Sequence, residues 1–197
     1  MFSLEHHPHA VVLRLTSRDG DNTNRLTRER VLTLTECIVQ LADNPKPLII
    51  TGNEHFFSAG ADLAEIAALT GPAAYEFAAM GQRLMNAVSS FPAATYAAVH
   101  GYCMGGGLDL ALASRHRIAG PHAIFGHRGA ALGLITGWGG TQRLPRLIGK
   151  ARALELFVAA EKITSRNALR IGLVDAISDD PLACSLRFCA PPESELN

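Results

Sequence analysis

Thr95-Tyr96-Ala97-Ala98-Val99-His100-Gly101-Tyr102-Cys103-Met104-Gly105-Gly106-Gly107-Leu108-Asp109-Leu110 is the stretch on which the fold turns. Thr95 to Val99 is a short, mostly apolar run and predicts a buried strand. The glycines end it, and Leu108 to Ser114 reads as a helix opening directly from them. The same succession stands earlier in the chain. Leu48-Ile49-Ile50-Thr51 predicts a short buried strand, Gly52 to Gly60 a loop, and Ala61-Asp62-Leu63-Ala64-Glu65-Ile66 the start of a helix.

Outward from these two stretches the pattern continues. Ala10 to Leu15 predicts a strand and Asp19-Gly20-Asp21-Asn22 a turn. Thr27 is placed to cap a helix with Glu29 in its first turn, and Val31, Leu34, Ile38 and Leu41 recur at helical spacing. Asn44-Pro45-Lys46-Pro47 ends that helix. Pro72 to Val88 predicts a second, with Phe77, Leu84 and Val88 on one face, broken at Phe91-Pro92. Arg117-Ile118-Ala119 and Ala123-Ile124-Phe125 read as short strands, Ala151 to Ala160 and Ser165 to Ile171 as helices. Strands alternating with helices indicate an α/β fold. The tail from Asp179 contains prolines and predicts no helix. No linker, low-complexity segment or repeat of fixed period interrupts the chain.

At 197 residues the chain fits one domain with a sizeable core, or one domain and a short appendage. With 48% hydrophobic and 18% charged residues it has an ordinary globular composition, which argues against a disordered or fibrous protein. Basic and acidic residues balance at 18 each, so no general attraction to nucleic acid or to an anionic membrane follows. The local basic stretch Arg143 to Lys150 would still suit a phosphate. Cys37, Cys103, Cys184 and Cys189 form no C-x-x-C pair and no zinc pattern, which points to reduced thiols and no metal. The N-terminus lacks a basic segment followed by an apolar one, and no apolar run is long enough to span a bilayer. These features lead us to expect a soluble, cytoplasmic protein.

Two glycine-containing turns, each following a strand and opening a helix, carry the chemistry. The first amides of a helix have no internal acceptor, and glycine lets a ligand approach the main chain. Two such turns side by side can aim two N–H groups at one oxygen and stabilise an oxyanion. From the residues alone, tight packing turns and a phosphate cradle remain open beside that reading. The Walker pattern is absent, as is a G-x-G-x-x-G with a following acid at dinucleotide-binding spacing.

Longer motifs add a resemblance. Phe56-Phe57-Ser58-Ala59-Gly60-Ala61-Asp62-Leu63 resembles the F-x-A-G-x-D-[LI] signature of the crotonase (enoyl-CoA hydratase/isomerase) superfamily. His100 to Leu110 resembles that family's N-G-x-x-x-G-G-G-x-E-L. Leu132-Gly133-Leu134 and Gly139-Gly140-Thr141-Gln142-Arg143-Leu144 resemble its L-G-[LI]-x-P-x-x-G-G-T-Q-R-L, and Ile171-Gly172-Leu173-Val174 its late G-L-V element. The likeness runs from about Ala10 to Ile177. It implies the crotonase (ClpP/crotonase-like) fold, repeated ββα units in a spiral core, with a shortened C-terminal helical region. Residues 1–177 would form the core domain and 178–197 a short tail. It also implies an acyl-CoA enzyme, with hydration/dehydration or double-bond isomerisation of an enoyl-CoA as the reaction. A catalytically silent acyl-CoA-binding or structural subunit is the alternative, and a nucleotide-phosphate module a third class. No cofactor is implied beyond the coenzyme A of the substrate. The partners implied are an acyl-CoA thioester and further copies of the chain, as a trimer or hexamer.

Carried over position by position, the resemblance makes Ala61 and Gly106 the oxyanion donors. It places Ala59, Asp62 and Leu63 at the CoA adenine, although Asp62 also suits a plain helix-start carboxylate. Family hydratases use two glutamates, and both positions depart here. Asp109 holds the first, as in the dienoyl-CoA isomerase branch. It is shorter by about 1.5 Å of reach, and a helix first turn favours its ionised form, so it reads either as a base or as a structural carboxylate. Gly129 holds the second and moves no proton. The further Asp of the dienoyl isomerases falls on Gly137. His127 and Arg128 are adjacent but out of register, and the sequence favours surface positions for both. Trp138 either walls the substrate pocket or packs as an ordinary aromatic. Family members usually continue for dozens of residues past the G-L-V element.

Overall fold

The structure is a computed structural model that describes residues 2–17 and 21–191. The turn predicted at Asp19 to Asn22 therefore begins outside the described residues. β1 (Phe2–His6) pairs antiparallel with β2 (Val11–Leu15). α1 (Arg28–Leu41) follows, capped as predicted: Thr27 Oγ1 accepts from Arg30 N at 3.3 Å, and Val31, Leu34 and Ile38 are buried.

Three successive units then repeat one plan. β3 (Leu48–Thr51), β4 (Phe56–Ser58), α2 (Leu63–Ala67) and α3 (Gly71–Ser89) form the first. β5 (Thr95–Val99), β6 (Tyr102–Met104) and α4 (Gly106–Ala113) form the second. β7 (His116–Ala119), β8 (Ile124–Gly126), a 3-10 turn at Gly129–Leu132, α5 (Gly140–Ile148) and α6 (Lys150–Ala159) form the third. The chain closes with β9 (Ile163–Thr164), α7 (Ser165–Arg170), β10 (Ala176–Ile177) and α8 (Pro181–Cys189). In each unit the first strand joins a six-stranded sheet, β1-β2-β3-β5-β7-β10, and the second a four-stranded sheet, β4-β6-β8-β9. Strands of successive units pair in parallel in both sheets. The three-residue strands β4 and β6 lie where the sequence predicts only loop, and the edge strand β1 was not predicted.

The larger sheet is buried on both faces, which is why its strands read as continuous apolar runs. Alternate residues go to opposite sides. Leu13, Leu48, Ile50, Ala97 and Val99 face the main core with α1, α3 and α4. Val12, Ile49, Tyr96 and Ala98 face a second, smaller core. α8 covers that second face with Leu182, Leu186 and Cys189. The expectation of a helix-free tail is therefore corrected. Asp180 accepts from Ala183 N at 2.8 Å as the N-cap. Pro181 is the first helical residue, where a missing N–H does no harm. An apolar face left uncovered behind β3 and β5 supplies the driving force for docking.

Cys189 reports on this docking, because burial pushes its thiol up to about 11. Asp180→Ala should lower stability by about 1 kcal/mol, read as a fall in Tm of about 2–4 °C. The same change should speed alkylation of Cys189 at pH 8, measured by peptide mapping. An unchanged Tm and alkylation rate would contradict this account of α8.

Candidate active site

Parallel pairing of β4 with β6, Ser58 opposite Cys103, sets the two glycine turns beside each other. The first turn is held by its neighbours: Ala59 N donates to Thr23 O at 2.8 Å, and Leu26 N donates to Gly60 O at 2.8 Å. Ser58 Oγ accepts from Gly60 N at 3.0 Å and donates to Asn24 O at 2.8 Å. Gly60 has φ +92° and Gly105 φ +51°, left-handed conformations that L side chains rarely adopt. The turns are in backbone contact. A Cβ on Gly60 would lie 2.8 Å from Gly106 N, and one on Gly106 would lie 3.3 Å from Ala61 N. Among the described residues, neither the Ala61 nor the Gly106 amide donates to a backbone carbonyl in a turn, loop or cap. Gly106 N belongs to the first residue of α4, so it carries the positive end of that helix. Both residues line a cavity of about 420 Å³.

Trp138 stands in the cavity wall and packs on Phe77. It lines the cavity and is 3% exposed. Its Nε1 donates to Phe77 O at 3.2 Å, and the two rings pack with centroids 5.3 Å apart. A Cβ on Gly106 would come within 2.6 Å of its Cζ3, and one on Gly81 would fall on the indole. The ring thus braces the second turn from the α3 side.

Asp109, 1% exposed, also lines the cavity. Its Oδ2 accepts from Thr136 Oγ1. Its Oδ1 lies 3.2 Å from His127 Nε2, but the two are not aligned as a hydrogen bond, and among the described residues neither atom has a hydrogen-bond partner. Gly140, opening α5, lets these groups meet. A Cβ there would fall on Asp109 Oδ1 and come within 2.9 Å of His127 Nε2. The amino end of α5 also favours negative charge beside it. Burial pulls the Arg143 guanidinium down from its ordinary value, and the Asp109 charge opposes that. Burial, and after it Asp109, pushes the Cys103 thiol well above the usual thiol range.

The surface position favoured for His127 is corrected: the side chain is buried, and its ring tilts against Phe157 at 5.2 Å. β8 aims it inward, at the point where the sequence offered only a run of polar and glycine residues. Arg128 is exposed as expected. Gly129 lines the cavity, but a Cβ on it would lie 2.7 Å from Leu134 O, so a glutamate there would need the following loop to shift. Ala59 and Leu63 line the cavity, as does Gly137. Asp62 instead turns its carboxylate to the amino end of α2, accepting from Ala64 N at 2.8 Å and Glu65 N at 3.1 Å. Those amides, led by that of Glu65 and helped by Arg25, hold its carboxyl below the usual carboxylate range. Thr136 escaped the sequence reading. Its signal was the departure itself, a threonine standing where the family motif has proline. Among the described residues, no group of three His, Cys, Asp or Glu side chains is arranged to hold a metal ion.

Comparison with known proteins adds independent findings. A family model described as enoyl-CoA hydratase/isomerase matches residues 8–183. A Bacillus subtilis (strain 168) protein named "Probable enoyl-CoA hydratase" is 42% identical over 160 residues, covering 80% of this chain and 62% of that protein. A Syntrophomonas wolfei protein named "Crotonyl-CoA hydratase" is 39% identical over 157 residues, covering 78% and 60% respectively. The chain thus spans about three fifths of the length of these curated relatives. Among solved structures, Pseudomonas aeruginosa DspI superposes with TM-score 0.90 at 33% identity, over 95% of this chain and 72% of that one. An enoyl-CoA hydratase from Bacillus anthracis superposes with TM-score 0.89 at 32% identity, over 95% and 74%.

Gly140→Ala tests the packing around Asp109. It should destabilise the protein by about 1–3 kcal/mol through overpacking, measured by urea denaturation. It should also part Asp109 from His127 in a crystal structure of the variant. A variant of wild-type stability with that contact intact would contradict it.

Proposed function

The chain belongs to the enoyl-CoA hydratase/isomerase family, and we propose that it binds an acyl-CoA thioester and catalyses hydration/dehydration or double-bond isomerisation of an enoyl-CoA. Its two sheets of ββα units are the crotonase fold expected from the motifs. The observation that carries the activity is the contact of the two glycine turns. A Cβ on Gly106 would stand 3.3 Å from Ala61 N and both residues line the cavity, which supports reading the two amides as donors to one ligand atom. The thioester oxygen accepts from both, and the negative charge it gains as an enolate is met by donors already in place. One such donor is worth about 3–4 kcal/mol in the transition state.

Asp109 is the proton-transfer group of this reading, supported by its place on the cavity wall one helical turn from Gly106. The acyl chain lies against Trp138 and Gly129. The CoA end passes Ala59, Asp62 and Leu63, where Asp62 offers its backbone because its carboxylate is engaged with α2. Coenzyme A arrives as part of the substrate, and the reaction needs no other organic cofactor or metal. The relative named for crotonyl-CoA makes that thioester the first to test.

The same reading takes residues 1–177 as the core domain and 178–197 as its tail, with β10 ending at Ile177. It includes assembly with further copies, as a trimer or hexamer, supported by the exposed Leu154 and Val158 of α6. Among the described residues no helix is long and apolar enough to cross a membrane, and a cytoplasmic location in fatty acid metabolism belongs to the proposal.

Crotonyl-CoA hydration and enoyl-CoA isomerisation, assayed on the wild type, Gly106→Ala and Asp109→Ala, decide the matter. Gly106→Ala places a methyl group against Trp138 and should lower kcat by about 100-fold or more. Tight binding of acyl-CoA without turnover of any enoyl-CoA by the wild type would instead identify a silent binding subunit.

A further inference from the structure

Proton transfer by Asp109 alone leaves the neighbouring histidine unexplained. His127 is sealed beneath Phe157, yet it lines the same cavity. Its Nε2 and Asp109 Oδ1 are both buried and 3.2 Å apart, and among the described residues neither has a hydrogen-bond partner, so a small rotation of the ring is all that a bond between them needs. A buried polar atom left unpaired destabilises the fold, so two of them side by side call for a use. Two neighbours enforce the arrangement. Thr136 occupies Oδ2 and so turns Oδ1 toward the ring. Gly140 leaves free the space that any Cβ would take from both atoms. At the same time Gly129 supplies no second carboxylate, and a Cβ there would lie 2.7 Å from Leu134 O.

We propose that Asp109 and His127 form one acid–base unit that holds a single exchangeable proton and carries the α-proton of the acyl-CoA. This rests on the acyl-CoA reading of the cavity. With Nε2 beside Asp109 Oδ1, Nδ1 is the ring nitrogen left for the ligand. Neutral His127 takes the α-proton through Nδ1. The electron pair of the broken Cα–H bond enters the enolate, and its charge rests on the thioester oxygen between the Ala61 and Gly106 amides. The imidazolium then sits beside the Asp109 carboxylate, which stabilises it and fixes the ring tautomer. Return of the proton to carbon restores the starting state. Arg143 of α5 and Cys103 of β6 interact with Asp109, and α6 presents the Phe157 ring to His127.

Exchange of the α-protons of butyryl-CoA with D2O, followed by NMR, tests the unit without assuming the overall reaction. Gln at 127 keeps a hydrogen-bond donor for Asp109 but stores no proton. The wild type should exchange, and His127→Gln should do so about 100-fold more slowly, with its pH profile flattened. Its Kd for acetoacetyl-CoA should stay within about threefold, and Asp109→Asn should match it without adding to its effect in the double variant. His127→Asn is read in the same way, and thermal melting confirms that each variant is folded. Exchange by a folded His127→Gln within about threefold of wild type overturns the unit. A wild type that binds acetoacetyl-CoA but exchanges no proton overturns the unit and spares the oxyanion site. A wild type that binds no acyl-CoA overturns both.

Discussion

Two stretches of main chain, Gly60-Ala61 and Gly105-Gly106, come closer than side chains would allow, and the rest of the molecule is arranged to keep them there. Their approach needs parallel pairing of β4 with β6, which fixes where each turn begins. It needs glycine at 60 and 106, because a Cβ at either position would stand against the other turn. It also needs a brace, and Trp138 gives one by bonding to Phe77 O while its six-membered ring rests on Gly106. Donors fixed this way need not reorganise when charge develops on a ligand, which is why preset amides outperform water. The ββα repeat produces this contact. Each unit delivers one strand to each sheet, so the helix-opening turns of successive units fall side by side.

Electrostatics within the cavity follow from what surrounds Asp109. It stands in the first turn of α4 and lies against Gly140 at the amino end of α5. Thr136 takes one oxygen and His127 faces the other. A hydratase built on two opposed carboxylates would divide proton transfer between them. This chain has a glycine at the second position and sets Asp109 and His127 beside each other on the cavity wall.

The sequence made some of this legible and hid the rest for physical reasons. β3 and β5 were readable because strands buried on both faces give unbroken apolar runs. α1 was readable because Thr27 and Glu29 mark its start. β4 and β6, at three residues each, are too short to carry a period-two pattern and were legible only through the motifs around them. α5 begins at glycine and contains Pro145, so propensity hid a helix that tertiary packing supports. α8 was missed in a tail that reads as irregular and proline-containing, although Asp-Pro ahead of apolar residues at helical spacing is a start signal. Its need became visible only with the uncovered second face of the sheet. Ala61, Gly106 and Asp109 could be located by motif, and the structure brings all three to one cavity. His127 could not, because nothing in Phe125-Gly126-His127-Arg128-Gly129 states which way β8 turns the ring.

The convergence of the two amides on one oxygen is the central claim, and a crystal structure with acetoacetyl-CoA bound tests it most directly. The account predicts the thioester oxygen within about 3.2 Å of both Ala61 N and Gly106 N. A thioester oxygen held by a side chain or by water, with either nitrogen more than about 3.5 Å away, would contradict it.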